Sequence, residues 1–146
     1  MSGLFDVYVL SHDRSREAVL GFLDRFEPRR SESADDYVVP NNSDQPEFRY
    51  DNAVELLDHL ETRPGESHAI YWLSAAPGDP RCAMVFPTCD GQMVYGLSVV
   101  RNERRFLADL MTFLNSPKGY IDFEKPPPDT AAAFQDCLRK FDQPSR

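Results

Sequence analysis

The chain holds 146 residues, 41% of them hydrophobic and 27% charged, with 24 acidic against 16 basic side chains and a net charge of −8. A chain near this length hides roughly 68–70% of the surface its unfolded form exposes, so one core can stand without metal or disulfide staples. The acid excess opposes the counterion release that drives nucleic-acid binding, which removes bulk DNA or RNA from the expected partners.

Apolar stretches are strand-length, as in Ala69 to Leu73, well short of the roughly 18 residues a membrane helix needs. The opening Met1-Ser2-Gly3-Leu4-Phe5-Asp6 lacks the basic region of a secretory signal and meets an acid at once, so a cytoplasmic protein away from membranes is expected. Cys82, Cys89 and Cys137 are odd in number and match no zinc spacing. Reduced thiols are expected, with no metal and no cofactor.

In chain order, Phe5 to Leu10 alternates and carries β-favouring residues, which predicts a first strand. Ala18, Val19, Phe22, Leu23 and Phe26 recur at helical spacing after Asp13 or Ser15 as cap, and Pro28 closes that helix. From Arg29 to Glu47 the chain turns polar and acidic, broken only by the short strand Tyr37-Val38-Val39. Phe48 to Tyr50 is another short strand. Asn52 followed by Glu55 has capping-box spacing, and Ala53, Leu56, Leu57 and Leu60 form the apolar face of a second helix stopped at Arg63-Pro64-Gly65.

His68 to Ala75 reads as a strand, and Ala83 to Pro87 with Met93 to Val100 flank Asp90-Gly91 as a tight hairpin. A third helix covers Glu103 to Asn115, then a strand at Tyr120 to Glu124. Past Pro126-Pro127-Pro128, Asp129 or Thr130 caps a last helix bearing Phe134, Cys137, Leu138 and Phe141. Short strands, one hairpin and interspersed helices predict a single α+β domain spanning 1–146. The expected architecture is a two-layer sandwich with a mixed, largely antiparallel sheet and about four helices.

Chemical motifs are sparse. Ser11-His12-Asp13 brings a hydroxyl, imidazole and carboxylate together in sequence, but a triad converges in space and this serine has no glycine elbow; a turn and helix cap is the reading. Cys89 beside Asp90 is disfavoured as a thiolate. His59 and His68 could pair on a metal only with an added acid. Gly78, Gly91 and Gly96 form no phosphate-cradling run, and Trp72 reads as core.

Charge layout says more. The net charge is −4 over residues 1–50, −5 over 51–100 and +1 over 101–146. Asp35, Asp36, Asp44, Glu47 and Asp51 cluster in one loop-rich stretch, which would steer a basic protein partner by long-range attraction. The segments AMVFPTCDGQMVYGLSV, FLADLMTFLNS and GYIDFEKPPP, between Ala83 and Pro128, resemble small acidic bacterial immunity-type proteins that neutralise toxins. That resemblance implies a non-enzymatic binder and carries over no functional residue. A cytosolic binding protein using those five acids is therefore expected. The alternative is a small-molecule-binding or hydrolytic α+β domain whose site is assembled from scattered residues.

Overall fold

The computed structural model describes residues 3–142, with side chains as far as 140. Six strands form one sheet: β1 (Phe5–Ser11), β2 (Arg30–Glu32), β5 (Ile70–Ser74), β6 (Cys82–Pro87), β7 (Met93–Val99) and β8 (Gly119–Phe123). Their order is β2-β5-β6-β7-β1-β8, while β3 (Tyr37–Val39) and β4 (Phe48–Tyr50) make a separate hairpin. The helices are α1 (Arg16–Phe26), α2 (Ala53–Glu61), α3 (Glu103–Leu114) and α4 (Ala131–Asp142). The α+β class with a mostly antiparallel sheet and four helices is thus the one expected. Every ladder among the described residues is antiparallel.

Side chains alternate across a strand, so each central strand feeds two cores. Val7, Val9, Tyr95, Leu97 and Val85 face Phe22 and Leu23 of α1, Leu56 and Leu60 of α2, and Leu110 of α3. The opposite face offers Tyr8, Leu10, Met84, Phe86 and Val94, on which α4 lays Ala131 and Phe134. The helices thus cover both faces, where two layers were expected, because β1 and β7 are apolar on both sides and each side needs a cover. Phe141, expected on the same helix face, lies outside the described side chains.

Helix ends follow the local chemistry. Ser15 accepts from Ala18 N–H at 3.1 Å, and Asn52 accepts from Glu55 N–H at 3.0 Å. The Glu55 carboxylate returns to the N–H of Asp51 rather than that of Asn52. Thr130 caps α4, accepting from Ala133 N–H at 3.0 Å. The β6–β7 connection closes through Thr88 N–H to Gln92 C=O at 2.9 Å, leaving a three-residue loop of Cys89, Asp90 and Gly91. Gly91 has φ +89°, the left-handed geometry a three-residue loop needs at its last position. Asp90 does more than turn: its carboxylate accepts from Ala131 N–H at 2.8 Å and Ala132 N–H at 3.3 Å, tying the hairpin tip to α4.

Buried ionisable side chains shape the interior, Arg14 and Glu27 among them. Arg14 donates from Nη1 to the carbonyls of Thr88 (2.8 Å) and Gln92 (3.1 Å), and from Nη2 to those of Leu60, Arg63 and Glu66 (3.1–3.2 Å). One guanidinium therefore joins the start of α1, the end of α2 and the β6–β7 loop, and a cation at a helix C-terminus is favourably placed. Glu27, 1% exposed, closes α1. Neither of its oxygens is in hydrogen-bonding geometry with a partner among the described residues. Burial pushes this carboxyl up to about 7, with the Ala83 N–H acting as a nearby dipole and Arg30 drawing it partly back.

Candidate functional site

The acid-rich segment is not a free loop. It is the β3–β4 hairpin with its flanks, held to the body at four points. Tyr37 donates its hydroxyl to Glu32 Oε1 at 3.1 Å, and the same oxygen accepts from Ala53 N–H at 2.9 Å. His68 Nδ1 accepts from Ala69 N–H at 2.9 Å, which leaves the proton on Nε2 to be donated to Val38 C=O at 2.9 Å. Tyr50 donates to His59 Nδ1 at 2.7 Å, and Phe48 stacks obliquely on the same imidazole at 4.8 Å. Arg63 lies over the Phe48 ring, 5.1 Å from its centroid, a cation–π contact. Burial, followed by the charge of Arg63, lowers the pKa of His59, so the imidazole is held neutral as an acceptor.

The register Tyr37↔Tyr50 and Val39↔Phe48 places the five expected acids. Asp36 and Asp51 come level just outside one end of the hairpin, with Asp35 beside them, while Asp44 and Glu47 lie at the other end. All five are exposed. They form two groups roughly 14 Å apart rather than a single cluster. Asp36 pairs with Arg49 from the facing strand, which offsets part of the charge at its end.

Two adjoining cavities of about 400 and 260 Å³ run beside this arm and share Asn41, His68, Ala69 and Tyr71. Of the five acids only Asp36 lines the first. Tyr71, 37% exposed, lies between the two and packs edge-on against Phe86 at 5.7 Å. The far wall is Pro126-Pro127-Pro128. That wall is fixed at both ends: Tyr8 donates its hydroxyl to Lys125 C=O at 2.7 Å, Asp6 Oδ2 accepts from Lys125 N–H, and Cys89 N–H donates to Asp129 C=O at 3.0 Å. Asp6 is itself buried and accepts the Ser98 hydroxyl at 2.6 Å. Its pKa is raised by burial, against the pull of those hydrogen bonds. The result is a fixed, open groove with an aromatic floor, an acid-bearing arm on one side and a proline wall on the other.

The remaining candidate chemistry resolves into structure. Ser11 accepts from Asp13 N–H and Asp13 from Ser15 N–H, forming the turn into α1. The three thiols are free. Cys82 and Cys89 bracket the length of β6, roughly 20 Å apart along an extended strand, and burial pushes the Cys82 thiol up to about 12. His59 and His68 turn to different partners, and among the described residues no three His, Cys, Asp or Glu side chains are grouped to hold a metal ion. No helix among them is long and apolar enough to cross a membrane. At the opposite end of the sheet a second cleft is lined by Arg81, Arg101 and Arg105 with Asp79, so bases gather away from the acidic arm.

Sequence reasoning located the acids but missed Glu32, Tyr37 and His68 as the residues that mount them. Only the recurrence of aromatic and imidazole side chains in a polar stretch could have hinted at it. No protein-family model, curated protein or solved structure matches this chain.

Proposed function

We propose that this protein is a non-enzymatic binding protein whose acid-bearing arm and Tyr71 groove receive a basic surface loop of a protein partner, toxin neutralisation being the concrete form. The observation that carries this reading is the mounting of the arm. Five exposed acids on a hairpin held at four points keep their charge in a fixed place, which lowers the ordering cost of association. Charge of one sign on a fixed surface raises the rate at which an oppositely charged partner arrives. The exposed Tyr71 ring supplies the kind of rigid aromatic contact that dominates interface energetics. Within the groove the one imidazole, His68, has both nitrogens committed to backbone groups, which favours recognition over proton transfer there.

The test uses the product of a neighbouring gene, co-expressed and co-purified with this chain. Tyr71→Ala should raise the dissociation rate by about tenfold or more while leaving association near its original rate, as loss of an aromatic anchor does. A complex indifferent to Tyr71→Ala would move the contact away from the groove. Turnover in a broad hydrolase screen, abolished by substitutions in the groove, would instead favour the catalytic alternative.

A further inference from the structure

Among the described residues the β8 edge of the sheet is open, and its sequence is self-complementary. Leu10 N–H donates to Lys118 C=O at 2.8 Å, and the ladder runs Val9↔Gly119, Val7↔Ile121, Phe5↔Phe123. Hydrogen-bonded pairs alternate along an antiparallel ladder, so the backbone groups of Tyr120 and Asp122 turn toward β1 while those of Gly119, Ile121 and Phe123 turn outward. The Phe123 N–H is met by its neighbour's carboxylate, Asp122 Oδ1, at 2.8 Å. The outward groups of Gly119 and Ile121 have no partner among the described residues. An unpaired edge of this kind is a template for another strand.

We propose that β8 pairs antiparallel with β8 of a second copy, about a two-fold axis through Ile121, extending two six-stranded sheets into one of twelve. Three features select this occupant and this register. With Ile121 opposite itself, the outward-facing residues meet only outward-facing residues: Gly119 comes level with Phe123 of the other copy, and Ile121 with Ile121. Lys118 comes level with Glu124 of the other copy, whose carboxylate also accepts from its own Leu4 N–H at 3.2 Å, and diagonal to its Asp122, so opposite charges come near each other at both ends. A slip of two residues one way sets Lys118 opposite Asp122 but moves Phe123 off Gly119, and the same slip the other way loses the direct charge match as well.

The third feature is shape. Phe123 is 51% exposed despite its edge contact with Phe5 at 5.5 Å. A Cβ on Gly119 would come within 2.8 Å of Leu107 Cδ1 and 3.0 Å of the Tyr8 carbonyl oxygen, so a side chain there would be crowded. Beside it lies a cavity of about 440 Å³ between β8 and α3, lined by Leu107, Arg104 and Ile121 among others. The Phe123 ring of the second copy arrives at that cavity, where an aromatic facing an edge glycine restores the missing cross-strand packing. Five-residue strands make a small interface, so the dimer is weak and concentration-dependent.

Sedimentation velocity of the full chain from micromolar to millimolar concentration tests this, with far-UV circular dichroism confirming that each variant folds. The wild-type average mass should climb from 16.7 kDa toward twice that value. Lys118→Glu alone and Glu124→Lys alone each place like charges opposite one another at both ends and should weaken association by about tenfold or more. An equimolar mixture of the two single variants restores opposite charges at both contacts, and should associate as the wild type does. A chain that stays monomeric throughout, or a dimer insensitive to the single reversals, or a mixture no tighter than its components, overturns the proposal.

Discussion

Replacing Arg14 by methionine keeps the volume and removes the donors at the junction of α1, α2 and the β6–β7 loop. Five carbonyls at 2.8–3.2 Å lose their partner, three of them at or just beyond the end of α2. Hydrogen bonds to charged groups contribute about 1.5–3 kcal/mol each in isolation. The guanidinium is 8% exposed, its pKa is lowered by burial, and Nε has no partner among the described residues, so desolvation consumes a large share of that sum. Water entering the vacated space can satisfy some of the carbonyls. The net loss should be about 3–5 kcal/mol, the range for breaking a buried charged network. With an unfolding entropy near 2.1 cal/mol/K per residue, that lowers Tm by about 10–16 °C. Differential scanning calorimetry reads it directly. Arg14→Lys retains the charge but offers three donors in place of a planar fork, and should recover less than half of the loss. A drop below about 3 °C for the methionine variant, or wild-type behaviour of the lysine variant, would refute the reasoning.

Glu27 gives a pH test. A carboxyl whose pKa is about 7 in the folded state and near 4.5 unfolded binds more protons when folded. Stability should therefore fall as pH rises from about 4.5 to 7, by on the order of 3 kcal/mol in all, and stay low above that window. Glu27→Gln should flatten this slope in urea titrations between pH 5 and about 8; an unaltered slope would assign it to other groups. Asp90→Ala removes the acceptor of the Ala131 and Ala132 N–H groups and should cost about 1–2 kcal/mol, with faster amide exchange confined to the first turn of α4. Unchanged exchange there would show that Thr130 caps the helix alone.

Helices α1, α2 and α3 were legible in the sequence because their apolar periodicity reports a face that must be buried, and their stops are local. The strands β1, β3, β4, β6 and β7 were legible by alternation or by a turn signal. Strand β2 was not: Arg30-Ser31-Glu32 is polar throughout and becomes a strand only by pairing with Ser74-Leu73-Trp72. The tie from Asp90 to α4 spans 41 positions, and the staple from Arg14 reaches residues 46 to 78 positions away; no local pattern encodes either. No local pattern marks Asp6 and Glu27 as buried, which depends on the facing strand and helix. At the site, exposure of the five acids followed from their polar setting. The pairing of Asp36 with Arg49 and the split into two groups required the register of the hairpin.

The claim that the arm recruits a basic partner is tested most directly by association kinetics of the combined variant Asp35→Asn, Asp36→Asn, Asp44→Asn and Glu47→Gln. These acids are exposed and contribute little to stability, so Tm should move by no more than a few degrees. With the co-purified partner, the association rate at low salt should fall by about tenfold or more, and the gap to wild type should close as salt is raised, with dissociation little changed. An association rate equal to that of the wild type at low salt would contradict the account.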